Sequence, residues 1–420
     1  MPAFALVDAN NFYCSCERAF DPALQGLPVI VLSNNDGCVI SRSEEAKELG
    51  VAMGAPWFQI EQGPDAASIR QFSSNYALYG DMSRRILEVL RRWSWKVEPY
   101  SIDEMFLDLS GFGGDLVARG HAIRRDVLRE TKIPTCVGIG PSKTIAKLAN
   151  HLAKQRPEYA GVCDLTDPEA RAVVYPSLPV GEIWGVAGAT GRRLARMGIQ
   201  TVDQLAALDM RQARDAFTVI GQRLVMELRG TSCLPLNMLA PQRKGVAVTR
   251  SFSHAVTDWR EMSEAVATYA TRATEKLRRH GLVAAGMTVF MRTNRYNGDP
   301  SYRGQVSYEI EPTQDCLILI GEALRGARSL WRPSYRYFKA GVMLHDLSPV
   351  GRMPASMFPT RDPRASARIM TALDAVNARF GRDTLRPAVT GIAREWATKA
   401  EYRSPRYTTR IDEIMKAVAI

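Results

Sequence analysis

Apolar residues follow two rhythms along this chain, and the alternation outlines its elements. Short unbroken runs bounded by turn residues read as buried strands. Residues 3–8 form one and residues 28–33 another. Asn34 to Gly37 is a turn cluster, after which Cys38 to Ser41 returns as a strand. A short helix is predicted over 43–49, stopped by Gly50, and a longer one over 77–92. Lys96 to Leu109 reads as a hairpin bent near Ser101, Ile102 and Asp103. A helical pattern follows over 115–131, and then a strand from Thr135 to Ile139. The clearest helix is 142–154, with Ser142 as N-cap. Ile145, Leu148, Ala149 and Leu152 give it one apolar face. Lys143, Lys147 and Lys154 lie opposite, within about 40° of one another at ~100° per residue. Lysines so placed on a helix are most often simply solvated.

Farther on, Leu178 to Leu208 reads as two short helices around the turn Trp184 to Gly188, a helix-hairpin-helix pattern. Residues 246–346 then alternate in the order β-α-β-β-α-β. Strands are expected near 246–253, 286–294, 304–310 and 338–345, with helices near 259–279 and 314–331. Beyond Pro349 the chain is rich in Pro and Arg with unclear periodicity, and reads as an appendage.

Length and charge sharpen this picture. The 420 residues, 46% hydrophobic and 24% charged, suit two to four folded domains. No run of about 18 apolar residues offers a membrane span. The N-terminal segment reads as a strand, not a signal peptide, so a cytoplasmic location without membrane contact is expected. Seven scattered cysteines and five histidines make no zinc pattern and read as reduced thiols. The net charge of +11 is uneven. Residues 241–345 hold 16 Lys+Arg against 9 Asp+Glu, and 346–420 hold 13 against 8. Residues 1–165, by contrast, are slightly acidic. That division places chemistry in the N-terminal part and a grip on polyanions in the C-terminal part. A basic surface kept for solubility is the plainer alternative.

The informative acids are Asp8, at the end of an apolar strand, and the adjacent pair Asp103-Glu104 at the hairpin bend. An isolated acid pair at a bend is usually a solvated turn. Carboxylates gathered at strand ends repel one another unless cations neutralise them, and magnesium takes such hard oxygen ligands. Two ions would clamp the attacking and leaving oxygens of a phosphoryl transfer. No Ser-His-Asp or Cys-His arrangement argues for a nucleophilic side chain.

The surrounding residues decide between these readings. Ser101-Ile102-Asp103-Glu104-Met105-Phe106-Leu107-Asp108 resembles the S-I-D-E hairpin of Y-family DNA polymerases. Asp8 to Tyr13 is similar to their first metal motif, and Val137 to Ala149 to their third. Leu32 to Ile40, Phe72 to Tyr76, Ala340 to Leu344 and Ser404 to Thr409 resemble the catalytic subunit of the family's polymerase V branch. The resemblance spans nearly the whole chain.

It implies an α+β, multidomain right hand. The palm would be 1–20 with 75–165, the small fingers 21–74, and a helix-hairpin-helix thumb 166–240. A β-α-β-β-α-β little finger over 241–346 would bind DNA, and a tail over 347–420 would dock partners. The implied activity is error-prone, template-directed DNA synthesis past damage in the SOS response. It further implies that Asp8, Asp103 and Glu104, with the Ala9 carbonyl, hold two Mg2+ ions. Phe12, Tyr13, Ser41, Lys47 and Lys154 would meet the incoming dNTP, with Tyr13 as the steric gate against a ribose hydroxyl. Lys143, Lys147, Gly185, Gly188 and Arg250 would contact primer-template DNA. Implied partners are a UmuD′-type dimer and a recombinase (RecA) filament.

Several positions depart from the family's pattern. Lys47 stands where many relatives have arginine, and Glu44 where they have tyrosine. Gly185-Val186-Ala187-Gly188 replaces Gly-x-Gly. Only Met357-Phe358, with Pro354 in place of Gln, remains of the sliding-clamp motif. Two rival readings fit less of the chain. A nucleotidyl cyclase would need neither thumb nor basic third domain, and a non-catalytic DNA-binding adaptor would not need all three acids.

Overall fold

A computed structural model describes residues 2–238, 242–352, 361–392 and 394–414. The chain forms two compact units, Met1–Ala240 with Tyr402–Ile420, and Pro241–Glu401.

In chain order the strands of the first unit are β1 (Phe4–Ala9), β2 (Val29–Leu32), β3 (Val39–Arg42), β4 (Arg70–Ser73), β5 (Val97–Pro99), β6 (Glu104–Asp108), β7 (Thr135–Gly140) and β8 (Val162–Asp164). They make a five-stranded sheet, β5-β6-β1-β7-β8, and a three-stranded one, β3-β2-β4. All six residues of β1 are buried, which is why its sequence is an unbroken apolar run up to Asp8. Leu78, Tyr79, Met82, Ile86 and Leu90 from the helix Tyr76–Leu90 cover one face of the larger sheet with Ile123 and Val127. The helix Lys143–Gln155 covers the other. A Cβ on Gly138 would collide with the backbone of Asn150 and Ala146, so glycine there lets this helix sit directly on β7. Asn150 then spans the interface, its Nδ2 donating to the carbonyls of Leu6 (3.2 Å) and Cys136 (3.0 Å). Ser142 caps the helix as expected, accepting from Ile145 N at 3.2 Å.

The opposite face of this helix is not the solvated stripe that its periodicity predicts. Lys143 is only 3% exposed. Its Nζ pairs with buried Glu98 and lies 4.9 Å from the Phe106 ring centroid. The segment around Asn237, whose N–H donates to Glu98 at 2.8 Å, helps to close this site. Lys143 is thus engaged within the fold, at a position where the resemblance expects a contact with template or primer phosphates.

The thumb pattern also differs. Before the turn stands a single 3₁₀ turn, Val180–Glu182, not a helix. After it come the helices Ala189–Arg196 and Val202–Ala207. Pro179 and Gly181 leave too few helix-forming residues to propagate. Gly185 and Gly188 both have positive φ (86° and 48°), which glycine adopts without steric penalty.

The second unit holds β9 (Gly245–Val256), β10 (Leu282–Thr293), β11 (Arg303–Thr313) and β12 (Tyr337–Pro349), antiparallel in the order β11-β10-β12-β9. The helices Trp259–Arg279 and Cys316–Leu330 complete the expected β-α-β-β-α-β order. The tail is not a single appendage. Residues 363–380 form a helix begun by Asp362 and Pro363. Arg278 grips its Asp374 with two nitrogens, at 2.7 and 2.6 Å. Trp396 inserts into the core edge-on to Phe252 and Tyr269. From Tyr402 the chain belongs to the first unit again. Pro354, Met357 and Phe358 lie outside the described residues. Among the described residues no helix is long and apolar enough to cross a membrane.

Candidate active site

The acids converge through strand register. Asp8 of β1 stands directly opposite Glu104 of β6, and such antiparallel partners project from the same face. The Ala9 N–H donates to the Asp103 carbonyl at 2.9 Å, tying the bend to the end of β1. Ser101 shapes that bend. Its Oγ accepts from the N–H groups of Asp103 (3.2 Å) and Glu104 (2.9 Å), and donates to Asp103 Oδ1 (2.5 Å).

The helix Lys143–Gln155 supplies the counter-charge. Lys154 Nζ lies 2.7 Å from Asp8 Oδ2, and Lys147 Nζ 2.6 Å from Glu104 Oε1. These positions on one helix meet strand ends because Gly138 allows the close approach. Lys147 also sits 4.8 Å from the centroid of Tyr100 and 5.5 Å from that of Trp184. Burial raises the Asp8 carboxyl to about 6. Lys154 opposes that rise, and Glu104 and Asp103 add to it.

Among the described residues no group of three or more His, Cys, Asp or Glu side chains is placed to hold a metal ion as it stands. Asp103 is engaged by Ser101, and the other two acids by lysines. The donors are nonetheless all oxygen, and burial, with the two neighbouring acids adding to it, raises the proton affinity of Asp8. Such an open carboxylate set fits a magnesium-type ion, which completes its shell from water and phosphate.

The nucleotide-facing candidates cluster nearby. Phe12 is buried, and Tyr13 is half-buried, its hydroxyl pushed up to about 12 by burial. The Tyr13 ring stacks on Tyr79, with centroids 4.5 Å apart, and meets Tyr76 edge-on. Ser41 lies under the start of the helix Phe12–Phe20, where its Oγ faces Cys14 N at 3.5 Å. Lys47 is paired with Glu44 at 2.7 Å, and Glu44 also accepts from Asn11. The acid that would repel a triphosphate is thus neutralised within its own helix.

Sequence reasoning missed Glu17, one helical turn beyond Tyr13. It is 2% exposed and accepts from the Tyr79 hydroxyl (2.6 Å) and from Ser404 Oγ (3.0 Å). The only sequence signal was an acid on an otherwise buried helix face. Burial lifts this carboxyl from its ordinary value of 4.5 to about 7, although both hydrogen bonds pull it down. The folded chain therefore holds this proton more tightly than the unfolded chain. The penalty on the charged form is absent below pH 4.5 and complete above about 7, so stability falls as pH rises through that window. The loss is up to about 3 kcal/mol. Glu17→Gln keeps the acceptor oxygen and is expected to flatten this slope in urea unfolding of the first unit between pH 5 and 8. An unchanged slope would show that Glu17 ionises freely in the fold.

In the second unit, Arg250 is exposed on β9 opposite Ala340. Burial first, and then the crowding of Arg250, Arg243, Arg382 and Arg279, hold Lys276 below its usual range. Lys339 is lowered by burial and then by Arg292 and Arg250. Positive side chains are therefore crowded around Arg250 in this unit.

A sheet that carries acids at its strand ends, in a chain that also has a separate basic β-α-β-β-α-β unit, suits a polymerase of the right-handed class. The structure aligns with a Y-family DNA polymerase chimera (Dbh-Dpo4) at a TM-score of 0.66 and 21% identity, covering 83% of this chain and 99% of that one. Residues 7–151 match the impB/mucB/samB family, residues 243–357 match the C-terminal domain of that family, and residues 367–417 match a domain of unknown function. The chain is 42% identical to Protein UmuC of Salmonella typhimurium, over 98% of this chain and 99% of that protein. It is 44% identical to Protein ImpB of the same species, over 98% of each. DNA polymerase IV 1 of Bacillus subtilis is 30% identical over 68% of this chain and 69% of its own length. The chain belongs to the impB/mucB/samB family and has the fold of a Y-family DNA polymerase.

Proposed function

We propose that this DNA-directed DNA polymerase of the Y family extends primers past damaged template bases in SOS mutagenesis, by two-metal nucleotidyl transfer from dNTPs. The observation that carries this reading is Asp8 set opposite Glu104, with Asp103 at the same bend and two lysines closing on the acids. Magnesium ions held by Asp8, Ala9, Asp103 and Glu104 would supply the charge neutralisation that this transfer needs. Lys154 and Lys147 bring two further positive charges to these strand ends, and phosphate oxygens compete for both. With Ser41 and Lys47, Lys154 would orient the triphosphate and Lys147 would face a phosphate of the primer-template, while Phe12 and Tyr13 close the sugar side of the site. Positioning and electrostatics supply the acceleration, and no side chain acts as nucleophile.

Gly185, Gly188 and Arg250 would meet the DNA backbone. The Arg250 cluster suits a grip that is blind to sequence and weakened by salt. The relatives' names support a UmuD′-type dimer and a RecA-type filament as partners, and docking to a sliding clamp would depend on Met357-Phe358.

The test is extension of a labelled primer across one abasic site with magnesium and dNTPs, alone and then with a UmuD′-type dimer and recombinase filament. We expect bypass that disappears in Asp103→Asn/Glu104→Gln, and that requires both partners. No extension in any mixture, with DNA binding intact, would leave the adaptor reading in its place.

A further inference from the structure

The segment that returns to the first unit ends up beneath the gate. Tyr402 exchanges hydrogen bonds with Ser73, its N–H donating to Ser73 Oγ (2.9 Å) and its carbonyl accepting from Ser73 N–H (3.1 Å). The Tyr407 ring stacks on Phe20, with centroids 4.8 Å apart. Between these anchors, Ser404 is 7% exposed and bridges two groups. Its Oγ donates to Glu17 Oε1 at 3.0 Å and accepts from Asn75 Nδ2 at 3.0 Å. Asn75 Nδ2 also reaches the carbonyls of Ser404 and Pro405, and its Oδ1 caps the helix Tyr76–Leu90. That helix carries Tyr76 and Tyr79, the two rings that meet Tyr13 from the edge and from below. Glu17 pins the Tyr79 hydroxyl from the other side at 2.6 Å. An unbroken series of contacts therefore runs from Ser404 through Glu17 and Tyr79 to the Tyr13 ring.

We propose that Ser404 and the return segment around it are positioning elements for the gate, so that this segment sets how strictly the enzyme rejects ribonucleotides. The inference rests on the reading of Tyr13 as the gate. A steric gate works by a ring held within a fraction of an ångström of the sugar. Stacking on Tyr79 fixes the height of that ring, and a buried, fully bonded network fixes Tyr79. Tyr79 is held by a carboxylate that needs two hydroxyl donors, and one of them is Ser404. Without it, Glu17 keeps a single side-chain donor, and the capping Asn75 loses a partner. The floor under Tyr13 loosens while the acids and lysines on the sheet keep their own partners.

The test compares incorporation of one rNTP and the matching dNTP opposite an undamaged template base. It uses the full chain in the mixture that supports extension, with kcat and KM measured for each nucleotide. Tyr13→Ala is the control for the gate itself. Ser404→Ala is expected to lower the dNTP preference about three- to tenfold, in line with the net worth of one ordinary hydrogen bond. The change should fall mainly on ribonucleotide KM, with kcat for the dNTP held near wild type. Tyr79→Phe, which keeps the stacked ring but frees it from Glu17, should shift the ratio in the same direction, and Ser404→Thr should restore it. If Tyr13→Ala changes the ratio while Ser404→Ala and Tyr79→Phe do not, the proposal fails and the gate stands. An equal fall in incorporation of both nucleotides would make the segment merely structural and also overturn it. A ratio unchanged in Tyr13→Ala would remove the gate reading itself.

Discussion

Asp8→Asn is expected to abolish primer extension while making the protein more stable in the absence of divalent cations. The asparagine fits the same space on β1 but cannot contribute a negative oxygen to the strand-end cluster. Loss of one preorganised electrostatic group of this kind costs a rate factor of about 10³ or more. The stability change has the opposite sign. Asp8 is 8% exposed, and burial, with Glu104 and Asp103 beside it, raises its carboxyl to about 6 despite Lys154. At pH 8 the folded chain thus carries a strained charge, worth about 1–3 kcal/mol, that the amide removes. Lys154 is partly exposed and returns to solvent at little cost. Thermal midpoints in EDTA and in magnesium would separate the two effects. The wild type should gain stability on addition of magnesium, and the variant much less. Extension that survives in Asp8→Asn would remove this residue from the chemistry. A variant less stable than wild type in EDTA would mean that the Lys154 pair outweighs the repulsion.

Lys143→Ala is expected to destabilise the first unit by about 3–5 kcal/mol, because it leaves the Glu98 carboxylate buried without its partner. Glu98 is 5% exposed and would keep the N–H of Asn237 as a donor. The same substitution should leave the salt dependence of DNA binding unchanged, since a lysine at this depth neutralises no phosphate. Arg250→Ala, by contrast, should lower the slope of log affinity against log salt by about 1. Replacing the pair together, as Lys143→Met with Glu98→Leu, should recover most of the stability. Urea unfolding followed in the first unit, alongside a salt titration of DNA binding, reads both quantities. A reduced salt slope in Lys143→Ala would restore the phosphate-contact role.

Asp8 and Lys143 show where the sequence was legible and where it was not. The strand β1, the bend at Ser101 to Glu104 and the Ser142-capped helix all follow from local pattern. Each is written in apolar spacing or in a cap, and each recurs in the structure within a residue or two. The acids were legible as a set because strand ends and a hairpin bend bring side chains to a sheet edge. The periodicity of the helix Lys143–Gln155 showed which lysines share a face, but not what covers that face. Lys143 is buried by Glu98 and by the segment near Asn237, about 45 and 94 residues away in sequence, and no local rhythm records such contacts. The helix Pro363–Phe380 escaped for a different reason. Of its residues only Met370 and Leu373 are buried, too sparse a stripe to stand out among arginines. The Glu17–Ser404 bond joins positions 387 residues apart, beyond the reach of any windowed pattern.

The discontinuity of the first unit also has a consequence for time. Its fold draws on residues near both ends of the chain, with Pro241–Glu401 made in between. At ribosomal rates of about 5–20 residues per second, that stretch takes roughly 10–30 s to synthesise. A first unit that folded during that interval would bring Asp8, Asp103 and Glu104 to its sheet before Ser404 could reach Asn75 and Glu17. On the proposed role of Ser404, such a chain would hold its acids in place before the contacts that seat the Tyr13 ring had formed.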